Sequence, residues 1–353
     1  MSSGWFYLLT TMLVYVGTAM IACLGLNLQL GETGVLNFAF IVFEAVGAYI
    51  AAVLTLGSPS ANGGFQHYIL GMHLPFPVPW LAAMLAGAAL GVLAGLLTMR
   101  KLRGDYEAVV MLVLSLVAYY VVISAKGLFN GSNGLSLIPA PLASYIGNPI
   151  TSMTYRWFYV GLVIVGVVLA YMVARSLTAS PLGRSLRAVR ENDSVAAALG
   201  KDALRLRIVV LAVGGAMAAL AGAMMVQFIG AWSPGGWTYP ETFTLFAAVI
   251  IGGRGNNLGV VLGALLVPGL VLEGPIFLPT FGPPNLTPAL QWIAVGGLMI
   301  IFMWFRPQGV IPEKRRRFPV HDGGGGGWRR LLRSGPDGLR LLGRGTGISY
   351  ERG

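Results

Sequence analysis

The chain has 353 residues, of which 56% are hydrophobic and only 10% charged, and it carries a net charge of +11 at a mean hydropathy of +0.73. Long continuous apolar runs exclude a large soluble domain, and they exclude a β-barrel, whose strands would show as short alternating segments. The charge excess does not mark a nucleic-acid binder, because from Arg306 onward eleven Lys and Arg face four acidic residues, so +7 of it sits in one tail.

A helical span takes about 20 mostly apolar residues. On that measure the predicted fold is an all-α polytopic membrane protein with about eight transmembrane helices, near 5–26, 35–57, 80–99, 106–125, 157–175, 207–229, 243–279 and 288–305. The first segment opens MSSGWFYLLTTMLVYVGTAM. It lacks the positive region and cleavage site of a signal peptide and reads as a retained span. The single cysteine, Cys23, lies within it, so no internal disulfide can form.

The stretch NLQLGETGVLNFAFIVFEAVGAY (27–49) sets Asn27, Gln29, Gly31, Glu32 and Gly34 ahead of an apolar run that still holds Asn37 and Glu44. It predicts a helix starting part-way across the bilayer, with Asn37, Glu44 and Gly47 along one face. A carboxylate inside a span faces the bundle interior or a wet cavity. Further on, Gly87, Gly91 and Gly95 repeat at four-residue spacing, as do Gly214, Ala218 and Gly222, and Gly259 with Gly263. Such stripes let helix backbones approach closely within a bundle.

Residues 178–207, TASPLGRSLRAVRENDSVAAALGKDALRLR, form the longest charged connection before the tail. Leu182, Leu186 and Val189 recur at helical spacing, with Arg184, Arg187 and Arg190 on other faces. Asp193 is expected to cap a second short helix, Ser194 to Leu199, ended by Gly200 in a left-handed turn. Short amphipathic helices either lie on lipid or dock in a partner's groove, and the pattern alone leaves both open.

A second irregular stretch, AVIIGGRGNNLGVVLGALLV (248–267), brings a short apolar run into Gly252, Gly253, Gly255 and Asn256. Nine residues of helix rise only about 14 Å, roughly half a bilayer. A Gly-interrupted span in each half points to an inverted-repeat transporter with its path at the repeat interface. The expected path residues are Gly31, Gly34, Asn37, Glu44, Gly47, Gly252, Gly253, Gly255 and Asn256.

Basic residues mark cytoplasmic loops. They cluster at Arg100, Lys101 and Arg103; from Arg175 to Arg207; and at Arg306 with Lys314 to Arg317. The alternate loops hold only Lys126 and Arg156. The N-terminus is therefore expected outside and the C-terminus in the cytoplasm. The chain divides into a membrane domain (1–312), with a cytoplasmic loop at 176–206, and a basic Gly-rich tail (313–353), expected to be disordered and to meet anionic lipid. His67, His73 and His321 lie in loops or the tail, and no metal-ligand or nucleophile set is apparent, so no enzyme is expected. None of Lys101, Lys126, Lys201 or Lys314 sits in a phosphate-binding G-x-x-x-x-G-K-[ST] loop.

The motifs LGLNLQLGETGVLNFAF…GAY, LRGDYEAVV, GSNGL, SPLGRSLRAVRENDSVAAALG, IGGRGNNLGVVLGA and RPQGVI occur in one order over roughly residues 15–312. In this the chain resembles the membrane subunits of branched-chain amino acid ABC importers, LivM type. The resemblance implies the cytoplasmic membrane of a bacterium and a heterodimer with a second related permease subunit. It also implies two cytoplasmic ABC ATPase subunits that bind the ATP and a solute-binding protein outside, with no cofactor on this chain. It makes the 183–200 segment the ATPase-coupling loop, through Gly183, Arg184, Arg187, Ala188, Arg190, Glu191, Asp193, Ala198, Leu199 and Gly200. Exchanging Arg187 and Arg190 for Glu is then expected to uncouple transport and leave the protein folded. The sequence departs from the family at Phe40, where members commonly carry His, and at Glu44, a usually aromatic position. Relatives of this type also carry urea, short amides and other amino acids. The competing reading is an ion-coupled secondary transporter with Glu44 as the carrier.

Overall fold

The computed structural model describes residues 2–59, 66–99, 104–147, 152–277, 283 and 286–313. Arg100, Lys101, Arg103, His321 and the tail beyond Glu313 lie outside the described residues.

α1 (Ser2–Leu26) runs directly into a π turn over Asn27–Glu32, and together they make the candidate span Gly4–Glu32. Residues 34–39 leave helical geometry, with Gly34 at φ +74°, a conformation open to glycine at no steric cost. α2 (Phe40–Thr55) follows. α3 (Val78–Thr98) carries Pro79 in its first turn, where a missing N–H costs nothing, and α4 (Gly104–Ser124) comes next. The single-turn helices α5 (Lys126–Phe129) and α6 (Ala143–Ile146) lie in the next connection.

α7 (Met153–Ala179) is capped by Ser152, whose hydroxyl accepts from the Tyr155 N–H. α8 (Pro181–Glu191) and α9 (Asp193–Ala198) lead to α10 (Ala203–Ile229), which Asp202 caps and Gly230 ends at φ +75°. α11 (Tyr239–Gly252) and α12 (Asn257–Ala264) are followed by a π segment, Leu265–Glu273. Pro268 sits inside that segment. It offers no N–H and crowds the preceding turn, and a local widening of the helix re-satisfies the freed carbonyl. α13 (Leu286–Phe305) is the last helix among the described residues. β1 (Leu135–Ser136) pairs antiparallel with β2 (Ala231–Trp232).

Among the described residues seven helices are long and apolar enough to cross a membrane, where the sequence led us to expect about eight. The difference lies at the irregular stretches. α2 has 16 residues and begins at Phe40, not at 35; α11 has 14 and begins at Tyr239, not at 243. They rise about 24 and 21 Å, short of a hydrocarbon core about 30 Å thick. Asn37 is thus not on the Glu44 face of a helix. Its Oδ1 accepts from the Ala39 N–H at 3.1 Å and its Nδ2 donates to Gln29 Oε1 at 3.0 Å. These bonds hold the backbone out of the helix as a short polar side chain does at a turn. Where α2 begins, the orphan N–H of Ile41 donates to Thr242 Oγ1 on α11 at 3.2 Å, so the starts of the two short helices touch.

α10 is the centre of the bundle, packed on α1, α2 and α3. The contacts are backbone to backbone: a Cβ on Gly87 would overlap Gly215 O, one on Gly91 would overlap Leu211 O, and one on Gly47 would overlap Ala219 O. The glycine stripes are therefore internal packing. The end of the bundle opposite α8 is closed by aromatic rings. Trp237 Nε1–H donates to the Tyr49 hydroxyl at 3.2 Å, and ring centroids are 4.6 Å apart for Tyr49 and Phe129 and 5.7 Å for Tyr119 and Trp237.

Candidate functional site

α8 buries Leu186 and Val189 at the spacing the sequence showed, and Gly183 lies where a Cβ would overlap Thr178 O. The second helix spans Asp193–Ala198, and its cap is Asn192, not Asp193: Asn192 Oδ1 accepts from the N–H groups of Ser194 and Val195 at 3.0 and 3.1 Å. Asn192 has the extended φ/ψ that a cap needs. Asp193 is left free to pair with Arg207 at 2.6 Å. Gly200 takes the left-handed turn at φ +75°. The outer face of this helix pair, Arg184, Ala188, Glu191, Val195, Ala198 and Leu199, is exposed.

Arg187 and Arg190 point the other way. Arg187 Nη1 donates to Glu32 Oε2 at 3.0 Å and to Thr178 O at 3.4 Å. Arg190 Nη1 donates to Gly31 O, and its Nη2 pairs with Glu313 Oε2 at 2.8 Å. Glu32 is 1% exposed, so the partner of Arg187 is a buried carboxylate at the end of the π turn.

The π turn also meets the second interruption. Asn27 Oδ1 accepts from the Gly255 N–H and Asn27 Nδ2 donates to Asn257 Oδ1, both at 2.9 Å. A Cβ on Gly31 would stand 2.6 Å from Gly255 N, one on Gly34 3.3 Å from Arg190 Cγ, and one on Gly255 3.1 Å from the Glu313 carboxylate. Asn256 caps α12, and its Nδ2 donates to Pro312 O at 3.1 Å. The N–H groups of Val310 and Ile311 donate to Ile251 O and Gly252 O at 2.8 and 3.1 Å, beside Gly253 at φ +118°. Gly31, Gly34, Gly252, Gly253, Gly255 and Asn256 thus come together beneath α8 as a hydrogen-bonded junction.

Glu44 and Gly47 lie apart from that junction, on the face of α2 that packs against α10. A Cβ on Gly222 would overlap Glu44 O. Glu44 is 8% exposed, and no hydrogen bond or ion pair reaches its carboxylate among the described residues.

Asn27, Gln29, Glu32, Asn257 and Glu313 belong to the junction although the sequence reading did not place them there. The available signal was amides in apolar surroundings, which a bilayer makes costly unless they are partnered. Arg156, read as a loop cation, is 5% exposed; its Nε donates to Thr10 Oγ1 at 2.8 Å and its guanidinium stacks over the Tyr7 ring at 3.7 Å. Because Asn27 serves both interruptions, Asn27→Ala strands the half-buried Gly255 N–H. We expect a loss of about 1–3 kcal/mol, read as a lower midpoint in thermal unfolding of the detergent-solubilised protein. An unchanged midpoint would show that water replaces the amide.

The family model described as branched-chain amino acid transport system / permease component matches residues 8–303. The chain is 28% identical over 340 residues to the high-affinity branched-chain amino acid transport system permease protein LivM of Escherichia coli, covering 91% of this chain and 73% of that one. It is 28% identical over 331 residues to the probable branched-chain amino acid transport permease protein LivM of Methanocaldococcus jannaschii, covering 87% and 94%. A shorter match, 28% over 177 residues and 43% and 50% of the two chains, is to the probable ABC transporter permease protein YphD of Escherichia coli. No solved structure matches. The relatives are transport permeases, not enzymes, and lend no support to the ion-coupled alternative for Glu44. The matched region takes in the π turn, α8, α9 and both interruptions, and the chain belongs to the branched-chain amino acid transport system permease family.

Proposed function

We propose that the chain is one of two related permease subunits of an ATP-binding-cassette importer. Its solute is a branched-chain or related amino acid, or a small amide such as urea, delivered by an extracytoplasmic solute-binding protein. Two ATPase subunits keep the ATP, one of them docking on the α8–α9 face of this chain, so this chain needs no cofactor. The end of the bundle that carries α8 is the cytoplasmic one, a reading supported by the cations from Arg175 to Arg207 gathered there; the N-terminus then lies outside.

One observation carries this reading: α8 grips the membrane domain with Arg187 and Arg190 while the opposite face of α8–α9 is left bare. A displacement of α8 by a partner is pulled through Arg187 on Glu32 and through Arg190 on Gly31. Asn27 ties that π turn to Gly255, so both interruptions move as one. π turns inside longer helices recur at functional sites, and backbone freed from regular helix is tolerated at membrane depth only where protein or a cavity satisfies it. Glu44 then reaches the solute's path from α2, where Gly47 lets the helix close on α10.

Leu199 is 74% exposed and Val195 55%. Replacing both by Asp should leave this chain folded, because neither is packed. Uptake of tritiated leucine by vesicles holding the whole importer should fall at least about tenfold, the equivalent of ~1.4 kcal/mol of docking energy, with less ATPase recovered on the tagged chain. Normal uptake and normal ATPase recovery would remove this face from the coupling path.

A further inference from the structure

The LRGDYEAVV motif contains a residue that the junction beneath α8 does not use. Glu107, in the first turn of α4, is 4% exposed, yet its Oε1 meets no donor among the described residues. At the start of α10 the Nε of Arg207 is likewise buried without an acceptor, while its Nη2 donates to Asp193 Oδ2 at 2.6 Å. Arg207 and Asp193 both lie within electrostatic range of Glu107. A buried orphan acceptor and a buried orphan donor of opposite charge therefore lie within electrostatic range of each other without forming an ion pair, at the foot of the segment that carries α9.

A guanidinium presents five N–H donors in a fixed fork, enough to serve a carboxylate on each side, but the geometry here satisfies only one side. Asp193 is 47% exposed, and a pair of that kind is weak because water competes for both partners. Pairing with Glu107 would relieve an uncompensated buried carboxylate, at the cost of drawing the guanidinium further from water. A weak pair on one side and a costly one on the other is the condition for a two-position element.

We propose that Arg207 is a positioning residue with two alternative partners, Asp193 of the coupling segment in the arrangement described here and Glu107 of α4 in the other, so that a displacement of α9 is handed to α4. This rests on the reading of α8–α9 as the docking segment. α4 is suited to respond as a rod, since Tyr106, Val109, Val113, Val117 and Tyr120 all face outward.

The test uses the full-length chain with whatever subunits co-purify. Val109→Cys and Lys201→Cys place spin labels on exposed sites of α4 and of the turn after α9, and the native Cys23 is fully buried and will not compete. Two inter-label distances are expected. Glu107→Gln should raise the population with the Asp193 pair, and Asp193→Asn should lower it, each by at least about threefold. A single distance unmoved by either variant overturns the proposal, as do shifts in the same direction, which would mark Glu107 as merely structural. If Glu107→Gln does not fold, Asp193→Asn alone still decides the matter. Absence of any co-purified ATPase would count against the docking reading, while the opposed shifts would still stand for Arg207.

Discussion

Arg187→Glu will destabilise the folded membrane domain, and not only remove its drive. The side chain the sequence offered to an ATPase is spent inside the molecule: its guanidinium is bonded to Glu32, which is 1% exposed, and to Thr178 O. Reversal would put a second carboxylate against the buried Glu32. Breaking a buried pair costs about 3–5 kcal/mol, and because the Arg187 side chain is 27% exposed the low end, about 3 kcal/mol, is the expectation. Against a total stability of about 5–15 kcal/mol that loss is large, and it should appear as aggregation in size-exclusion chromatography and as a lower unfolding midpoint. The exchange Arg187→Glu with Glu32→Arg restores the opposite charges and should recover most of the folded protein. A well-folded Arg187→Glu variant that has lost uptake would return Arg187 to the docking face. Recovery by the exchange would fix its role as the inner anchor of α8.

This case marks how far the sequence could be read. Leu186 and Val189 gave the buried face of α8 by their spacing, and Gly200 gave its left-handed turn by residue type. The membrane class and the glycine packing were equally legible, because hydropathy and small-residue spacing are local signals. The direction of Arg187 and Arg190 was not legible, since both sit at the edge of the apolar stripe and only the position of Glu32, 155 residues away in the chain, decides it. The cap was assigned to Asp193 because Asn192 and Asp193 are both good capping residues; what separates them is Arg207, which engages Asp193 from the next helix. Within 27–37 the residue types point to a path only at Gly31, Gly34 and Asn37. The junction that this stretch builds was not legible, because the partners Leu211, Gly255 and Asn257 come from distant parts of the chain.

Gly222→Val should be the most damaging substitution in the interior. The two helices it touches approach with no side chain between them: a Cβ at Gly222 would overlap Glu44 O, and from the other side a Cβ at Gly47 would overlap Ala219 O. The obstacle in both cases is main chain, which cannot move aside by changing a rotamer. Overpacking a core costs about 1–3 kcal/mol when side chains can adjust, so the upper end or beyond, at least ~3 kcal/mol, is expected here. The alternative is for α2 to lift off α10, carrying Glu44 with it and parting Ile41 from Thr242. Uptake should then be lost even in the fraction that remains folded. Gly161→Val is the matched control: on the outward face of α7 nothing stands within 4 Å of the added Cβ, and the change in stability should stay within about 0.5 kcal/mol. Unfolding midpoints for the two variants decide the point. Equal midpoints would mean that α2 and α10 do not touch backbone to backbone, and Glu44 would lose the fixed position that makes it a candidate for the path. A collapse confined to Gly222→Val would show that the most enclosed of the short helices is held by the absence of side chains, and that its carboxylate is kept in place by packing alone.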